Sequence, residues 1–474
     1  MFWLGRAGSG PEGRFDSKLL RTRWRLLAVP LVLAGAVGLR AVSSSATPAT
    51  QSPYAAVAQL ARVLVLIENH YVEPVDRGRL LEGAIKGMVA ELDPHSAYLP
   101  PEEFREFQNE TEGAFVGIGV EVDAREDVIT IVAPIDGSPA QRGGIRSGDR
   151  IVAVDGWMTR GQPLERTVRK MRGPPGSKVR ITLLRAGTAA PIEVTLTRET
   201  IHVNSVIAKR LDGDIGYVRI KQFQRGTHEE FLTAIAGLRE RSATPLAGVV
   251  LDMRTNPGGL VNEASAIADE LLARGTIYTT RARGKILEDI EAHGGGAIAE
   301  LPMSVLVNEY TASAAELVAG AVQDNRRGVI VGATTYGKGS VQSIVELPDN
   351  GGLKLTSMLY FTPSGRSIQA TGIVPDVQIG SVAAANPGMP VVREGDIEGH
   401  ILQPSAVDGG APQADAGSLE GGASVPADFV ISRDVPEDPT KGKDLALSIA
   451  YQLVRGVLVR NAGASRQPAL LQQP

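Results

Sequence analysis

The chain has 474 residues, too many for one small domain, and 43% of them are apolar, enough for a sizeable core. Its 49 basic and 53 acidic side chains leave a net charge of −4, which gives no reason to expect nucleic acid or another strongly charged partner. There is no cysteine, which excludes disulfides, a lipid-modified cysteine and a thiol nucleophile.

Residues 1–50 read as a targeting segment outside the fold. Arg14, Lys18, Arg21, Arg23 and Arg25 precede the apolar run Leu26–Leu39, and small residues follow. A basic stretch, then an apolar one, then small residues is the order of a secretory signal. The apolar run is short for a bilayer span, so a cleaved signal peptide and a retained N-terminal anchor are both compatible with it. In either case the basic flank directs the rest of the chain out of the cytoplasm, to a periplasmic or other extracytoplasmic site, with or without an inner-membrane tether.

Residues 51–111 carry helical spacing. Ala58, Leu60, Val63, Leu64 and Ile67 share one pattern, and Leu80, Leu81, Ile85 and Met88 another. Pro100 and Pro101 open a further short helix around Phe104.

Over 112–199 the period changes to that of short strands: Phe115–Val122, Val128–Val132, Arg150–Val154, Val179–Leu183 and Ile192–Leu196. Short helices are expected at 137–141 and 164–171. The ordered landmarks Gly117-Ile118-Gly119-Val120, Ser138-Pro-Ala, Gly148-Asp-Arg-Ile, Val154-Asp-Gly and Arg172-Gly resemble a PDZ domain. Such a domain adds an extended peptide to a sheet edge and caps its terminal carboxylate with backbone amides. The resemblance makes Gly117, Ile118, Gly119 and Val120 the peptide-binding candidates, with Ile118 and Val120 selecting the side chain. Read alone, the two glycines would only mark a bulge. Arg172 reads either as a sensor of bound peptide or as a solvated arginine.

From 200 to 380 strand patterns at 215–220, 248–253, 304–307, 329–331 and 351–357 alternate with helical ones at 227–241, 261–273 and 313–325. That is an α/β core, with functional loops expected at strand ends. From 381 the chain turns Gly/Ala/Pro-rich and acidic and is expected to be flexible, apart from a short helix near 443–459.

Two stretches of the core carry the chemistry. Ser313 follows the apolar run Met303–Val307 and precedes the helix-forming Ala314–Val322. It stands where free backbone N–H groups and the helix dipole favour an anion. On position alone it is a helix cap. Lys338 follows the apolar Val329–Val331 and sits between Gly337 and Gly339, with Tyr336 and Val341 nearby to exclude water. A desolvated lysine can act as a base, and Gln342 could orient it without adding charge. Glu316 lies on the helix face of Ser313, as a first-turn acid or in a functional role. Histidine-based chemistry is poorly supported. The chain has no Gly-x-Ser-x-Gly elbow or His-Glu-x-x-His, and its six histidines are scattered.

Thr311-Ala-Ser-Ala-Ala-Glu316 and Thr334-Thr-Tyr-Gly-Lys-Gly-Ser-Val-Gln342 resemble the serine and lysine motifs of the carboxyl-terminal processing peptidases, the tail-specific serine proteases of family S41. Leu92-Asp-Pro-His-Ser-Ala-Tyr98 and Val250–Leu260 are similar to two further segments of that family, and 360–366 and 372–376 to the end of its core. The resemblance implies Ser313 as nucleophile, Lys338 as general base and Gln342 as its orienting residue. It also implies an oxyanion hole from the amides of Ala314 and of Gly258 or Gly259, with Gly258 preferred. The expected architecture is a helical N-terminal region, a PDZ domain and an α/β protease core of the ClpP/crotonase-like type. The expected activity is endoproteolysis of proteins with exposed C-termini, needing no metal or cofactor, in a homo-oligomer, with room for an adaptor protein. The alternatives are a PDZ-containing adaptor on a protease-like scaffold, which binds C-termini without cleaving, and a histidine-dependent hydrolase using Ser313.

Overall fold

The computed structural model describes residues 53–125, 128–188, 190–240, 244–380, 391–402 and 435–464. The targeting segment read at 1–50 lies outside them. Among the described residues no helix is long and apolar enough to cross a membrane. The helical N-terminal region contains the helices Pro53–His70 and Arg77–Ala90. On the first of these Val57, Leu60, Val63 and Leu66 are exposed. A third helix, Pro101–Thr111, starts at the second of its two prolines and buries Phe104.

The stretch expected to be a PDZ domain forms an antiparallel sheet in the order Val120–Arg125, Val128–Pro134, Arg150–Val154, Lys178–Leu184, Ile192–Thr197. Alternation fixes its inner face: Val179, Ile181 and Leu183 are buried, while Lys178 and Arg180 point outward. Ile118, Ile129, Ile131 and Ile151 join them in a separate core, closed by the helices Pro139–Arg142 and Leu164–Met171.

The protease-like core is built on a six-stranded sheet. In order across it run β1 (Val206–Leu211), β2 (Ile215–Ile220), β3 (Gly248–Asp252), β4 (Met303–Val307), β5 (Val329–Gly332) and β6 (Val377–Gln378). The first pair is antiparallel and the rest are parallel. Strands β3 and β4 are buried at every position, because a parallel sheet is covered on both faces and leaves no polar side. Val249, Leu251, Val305 and Val307 face helices α1 (Thr227–Glu240), α2 (Val261–Leu271) and α3 (Ala314–Asp324). Val250 and Leu306 face the other way, onto α4 (Leu445–Ala464), through Leu447, Ala450, Tyr451 and Val454. The helix expected near 443–459 therefore docks on the core.

A second sheet runs Ala97–Leu99, Gly352–Phe361, Thr276–Ala282, Lys285–Glu291, and Ser340–Glu346 also pairs with Gly352–Phe361. Helices α2 and α3 contact its strand Thr276–Ala282. Sequence reading missed Thr276–Ala282, Lys285–Glu291 and Ser340–Glu346. It is also corrected over 391–402. That segment lies in the stretch expected to be flexible, yet Glu394 in it is fully buried.

Candidate active site

Ser313 occupies a strained turn. Its backbone has φ +56° and ψ −121°, a region that L-residues avoid at a cost of about 1–3 kcal/mol. The turn is held by its surroundings. Thr311 Oγ1 donates to the Met253 carbonyl at 2.9 Å, Ala312 N–H to the Asn256 carbonyl at 2.9 Å, and Tyr336 N–H to the Thr311 carbonyl at 3.0 Å. Glu316 accepts from Ser313 N–H at 2.8 Å, but the Ser313 hydroxyl does not cap the helix. The serine is thus not spent as a cap. Its Oγ lies 3.0 Å from the Tyr360 hydroxyl. Tyr360 is no base, since burial pushes its phenol well above the ordinary value.

Ser313, Lys338, Gln342, Gly258 and Gly259 line one cleft of about 440 Å³ with Phe107, Phe223 and Lys354. Lys338 is largely desolvated. Burial, with help from Lys354, brings its amine down to about 8, against the opposing pull of Glu394, Asp93 and Glu316. No hydrogen bond joins the Lys338 amine to Ser313 or Gln342 among the described residues. Gln342 Nε2 donates instead to Ser340 Oγ at 3.0 Å and to Thr356 Oγ1 at 3.3 Å. Catalytic hydrogen bonds are often open in unliganded enzymes.

The fully buried Glu316 joins the serine turn to the lysine loop. Besides Ser313 N–H it accepts from Thr335 Oγ1, from Gly337 N–H at 2.7 Å and from Lys338 N–H at 2.9 Å. Burial outweighs these donors and pushes its carboxyl up to about 7. It stands in the first turn of α3, and from there it clips the two loops together, a role the sequence did not suggest.

The Asn256–Gly259 loop lies against Ser313. Gly258 has φ +96°, and a Cβ added there would come within 2.9 Å of Ser313 Cβ and 3.0 Å of Ala314 N. The preferred oxyanion donor is occupied, however: Gly258 N–H donates to Asn256 Oδ1 at 2.8 Å. The N–H groups of Gly259 and Ala314 have no partner among the described residues.

The sequence model of peptidase family S41 matches residues 214–379. The PDZ domain model matches 130–185, and that of the activating protease CtpB N-terminal domain matches 37–103. A carboxy-terminal-processing protease of Bartonella bacilliformis is 38% identical over 418 residues, covering 87% of this chain and 91% of its own. The chain belongs to peptidase family S41. A carboxyl-terminal-processing protease of Synechocystis is 38% identical over 319 residues, 66% of this chain and 74% of that one. Among solved structures, the photosystem II D1 C-terminal processing protease matches at 31% identity and a TM-score of 0.44, covering 68% of this chain and 86% of that one. The α/β core is therefore an S41 protease core, and the sheet domain before it is a PDZ domain.

Within the PDZ domain of this S41 protease, Gly117 ends a strand paired with Glu199–His202. The N–H groups of Ile118 and Gly119 have no partner among the described residues, whereas the carbonyl of Gly119 accepts from Ile135 N–H and Ser138 Oγ. The Ile118 side chain is buried in the domain core, and Val120 is half-buried against the same cluster. Arg172 is partly buried rather than fully solvated: it stacks 5.8 Å above the Phe115 ring and lies 3.5 Å from Glu110, a residue of the cleft wall.

Sequence reasoning missed Tyr360, Lys354, Asp93, His95 and Glu394, all of which bear on Ser313 or Lys338. Asp93 and His95 stood inside a quoted family segment, which was the available signal. Glu394 carried none.

Proposed function

We propose that this S41 protease is a serine endopeptidase using Ser313 and Lys338, which captures substrate C-termini through its PDZ domain and works outside the cytoplasm. The observation that carries the reading is Ser313 itself: a strained, uncapped serine in the same cleft as a desolvated lysine. Lys338, neutral at and above pH about 8, takes the Ser313 proton as Oγ attacks the scissile carbonyl. It returns a proton to the leaving amine as the C–N bond breaks. Water then hydrolyses the acyl-serine through the same base. The amides of Ala314 and of Gly258 or Gly259 stabilise the tetrahedral oxyanion, about 3 kcal/mol for a well-placed donor. The unpaired amide favours Gly259. A side-chain rotation of Ser313 away from Tyr360 precedes attack. Ser340 and Thr356 hold Gln342 by its Nε2, which leaves its Oε1 to accept from the lysine amine.

The free N–H groups of Ile118 and Gly119 support a carboxylate cradle, with Gly117 and Val120 flanking it. The exposed apolar residues on helix Pro53–His70 support self-association. The segment before residue 51 supplies export, with or without a tether. The unclosed Ser313–Lys338 contact is what an adaptor role without cleavage would draw on.

The test uses an unfolded protein ending in a free apolar carboxylate beside the same protein amidated at that end, with Ser313→Ala and Lys338→Ala as controls. Cleavage of the free-carboxylate form alone, lost in both variants, supports the whole reading. Equal cleavage of both forms removes carboxylate capture. Retained binding without cleavage by the unaltered chain favours the adaptor.

A further inference from the structure

We propose that His95 and Glu394, from opposite ends of the sequence around the core, are positioning residues that hold the Lys338 loop through Gln369. The inference rests on Lys338 being the base.

The contacts form a continuous chain. Asp93 fixes the turn that carries His95, accepting from His95 N–H at 2.9 Å, Ser96 N–H at 3.0 Å and Thr356 Oγ1 at 3.0 Å. His95 Nε2 then lies 2.8 and 2.9 Å from the two carboxylate oxygens of Glu394. Glu394 Oε1 accepts from Gln369 Nε2 at 2.8 Å, and Gln369 Oε1 accepts from Gly339 N–H at 2.8 Å, next to Lys338. Backbone contacts run alongside. Glu394 N–H donates to the Tyr336 carbonyl at 3.3 Å, Arg393 Nη2 to the Thr334 carbonyl at 2.7 Å, and Ala370 N–H to the Gly337 carbonyl at 2.7 Å. Glu316 grips the same loop from α3 through Gly337 and Lys338 N–H. The loop is thus clamped from two sides, and neither the 93–96 turn nor the 393–396 turn belongs to the α/β core.

Glu394 is fully buried, an expensive place for a carboxylate without a partner. Its bonds from His95 and Gln369 nevertheless hold it below the ordinary glutamate range. An anion is therefore kept beside the Lys338 loop, where its charge favours the protonated amine. The charged groups facing Lys338 are Lys354 from strand Gly352–Phe361, Asp93 from the N-terminal turn, Glu316 from α3, and Glu394. Lys354 opposes protonation and the three carboxylates favour it.

The experiment measures kcat and KM against pH for cleavage of unfolded β-casein by the full chain and by Glu394→Gln, His95→Ala and His95→Gln. Folding is checked by thermal melting, and Ser313→Ala and Lys338→Ala are run beside them. Loss of the Glu394 anion eases deprotonation of Lys338, so the acidic limb of kcat/KM moves to lower pH in Glu394→Gln. Its kcat falls, because the ammonium formed in the reaction loses a partner. His95→Ala lowers kcat about tenfold with KM little changed, the cost of a slightly misplaced base. His95→Gln, whose amide can still donate to Glu394, recovers part of it. Should Glu394→Gln fail to fold, the two His95 variants decide alone. Unshifted limbs and wild-type kcat in the folded variants overturn the inference, even with both controls inactive. Active Ser313→Ala or Lys338→Ala would instead overturn the catalytic reading beneath it.

Discussion

For single residues, the proposed chemistry rests on the Lys338 amine and the Ser313 hydroxyl. Lys338 is brought down to about 8 chiefly by burial. A base accepts a proton only when neutral, so kcat/KM should rise with pH and level off above about 8. Initial rates on an unfolded protein from about pH 6 to 10 check this, and a rate that falls through that limb speaks against Lys338. The Ser313 hydroxyl meets Tyr360, whose phenol is too poor an acid to become a phenolate base near neutrality. Tyr360→Phe is expected to retain turnover, with a stability loss of about 1 kcal/mol for one hydrogen bond. Abolished turnover in a folded variant would make the phenol part of the chemistry.

Elements act here as supports for short loops. Strand β4 ends at Val307 and α3 begins at Ala314, so the serine turn is suspended between two buried elements and cannot relax. The Asn256–Gly259 loop closes on it from β3. At Gly258 the backbone is left-handed and the Ser313 turn leaves no room for a methyl group. Gly258→Ala should therefore lower stability by about 1–3 kcal/mol and cost turnover more than substrate affinity. Denaturant unfolding and steady-state kinetics check both, and an unchanged kcat would show that the loop's position does not matter to the reaction. Glu316 is the element-scale link between α3 and the lysine loop. Its sequence signal was only that of a first-turn acid, because the three donors it receives from Thr335, Gly337 and Lys338 lie on a different loop.

On the scale of the whole molecule, helix α4 is tied by ions to the end of β3, which leads into the Asn256–Gly259 loop. Buried Arg254 bridges Asp252, at the end of β3, to Asp444, which also accepts from Leu447 N–H at the start of α4. Arg254→Met would leave two buried carboxylates facing each other, at a cost of about 3–5 kcal/mol. It should also release α4 to limited proteolysis, and a variant as stable and as protected as the parent chain would refute the tie. Legible along the chain were the helical, strand-rich and α/β regions, the loops that carry Ser313 and Lys338, and the glycines of the loop beside them. These follow from local period, turn chemistry and motif, all carried by neighbouring residues. The sequence left open which side chains Ser313, Lys338 and Gln342 meet and what the helix near 443–459 packs against, and it put Glu394 in a flexible stretch. Those were decided only by tertiary structure. Desolvation, backbone strain and the sharing of hydrogen-bond donors depend on groups far apart in sequence, such as His95 with Glu394, 299 positions on, and Arg254 with Asp444, 190 positions on, and no local pattern records which of them will meet.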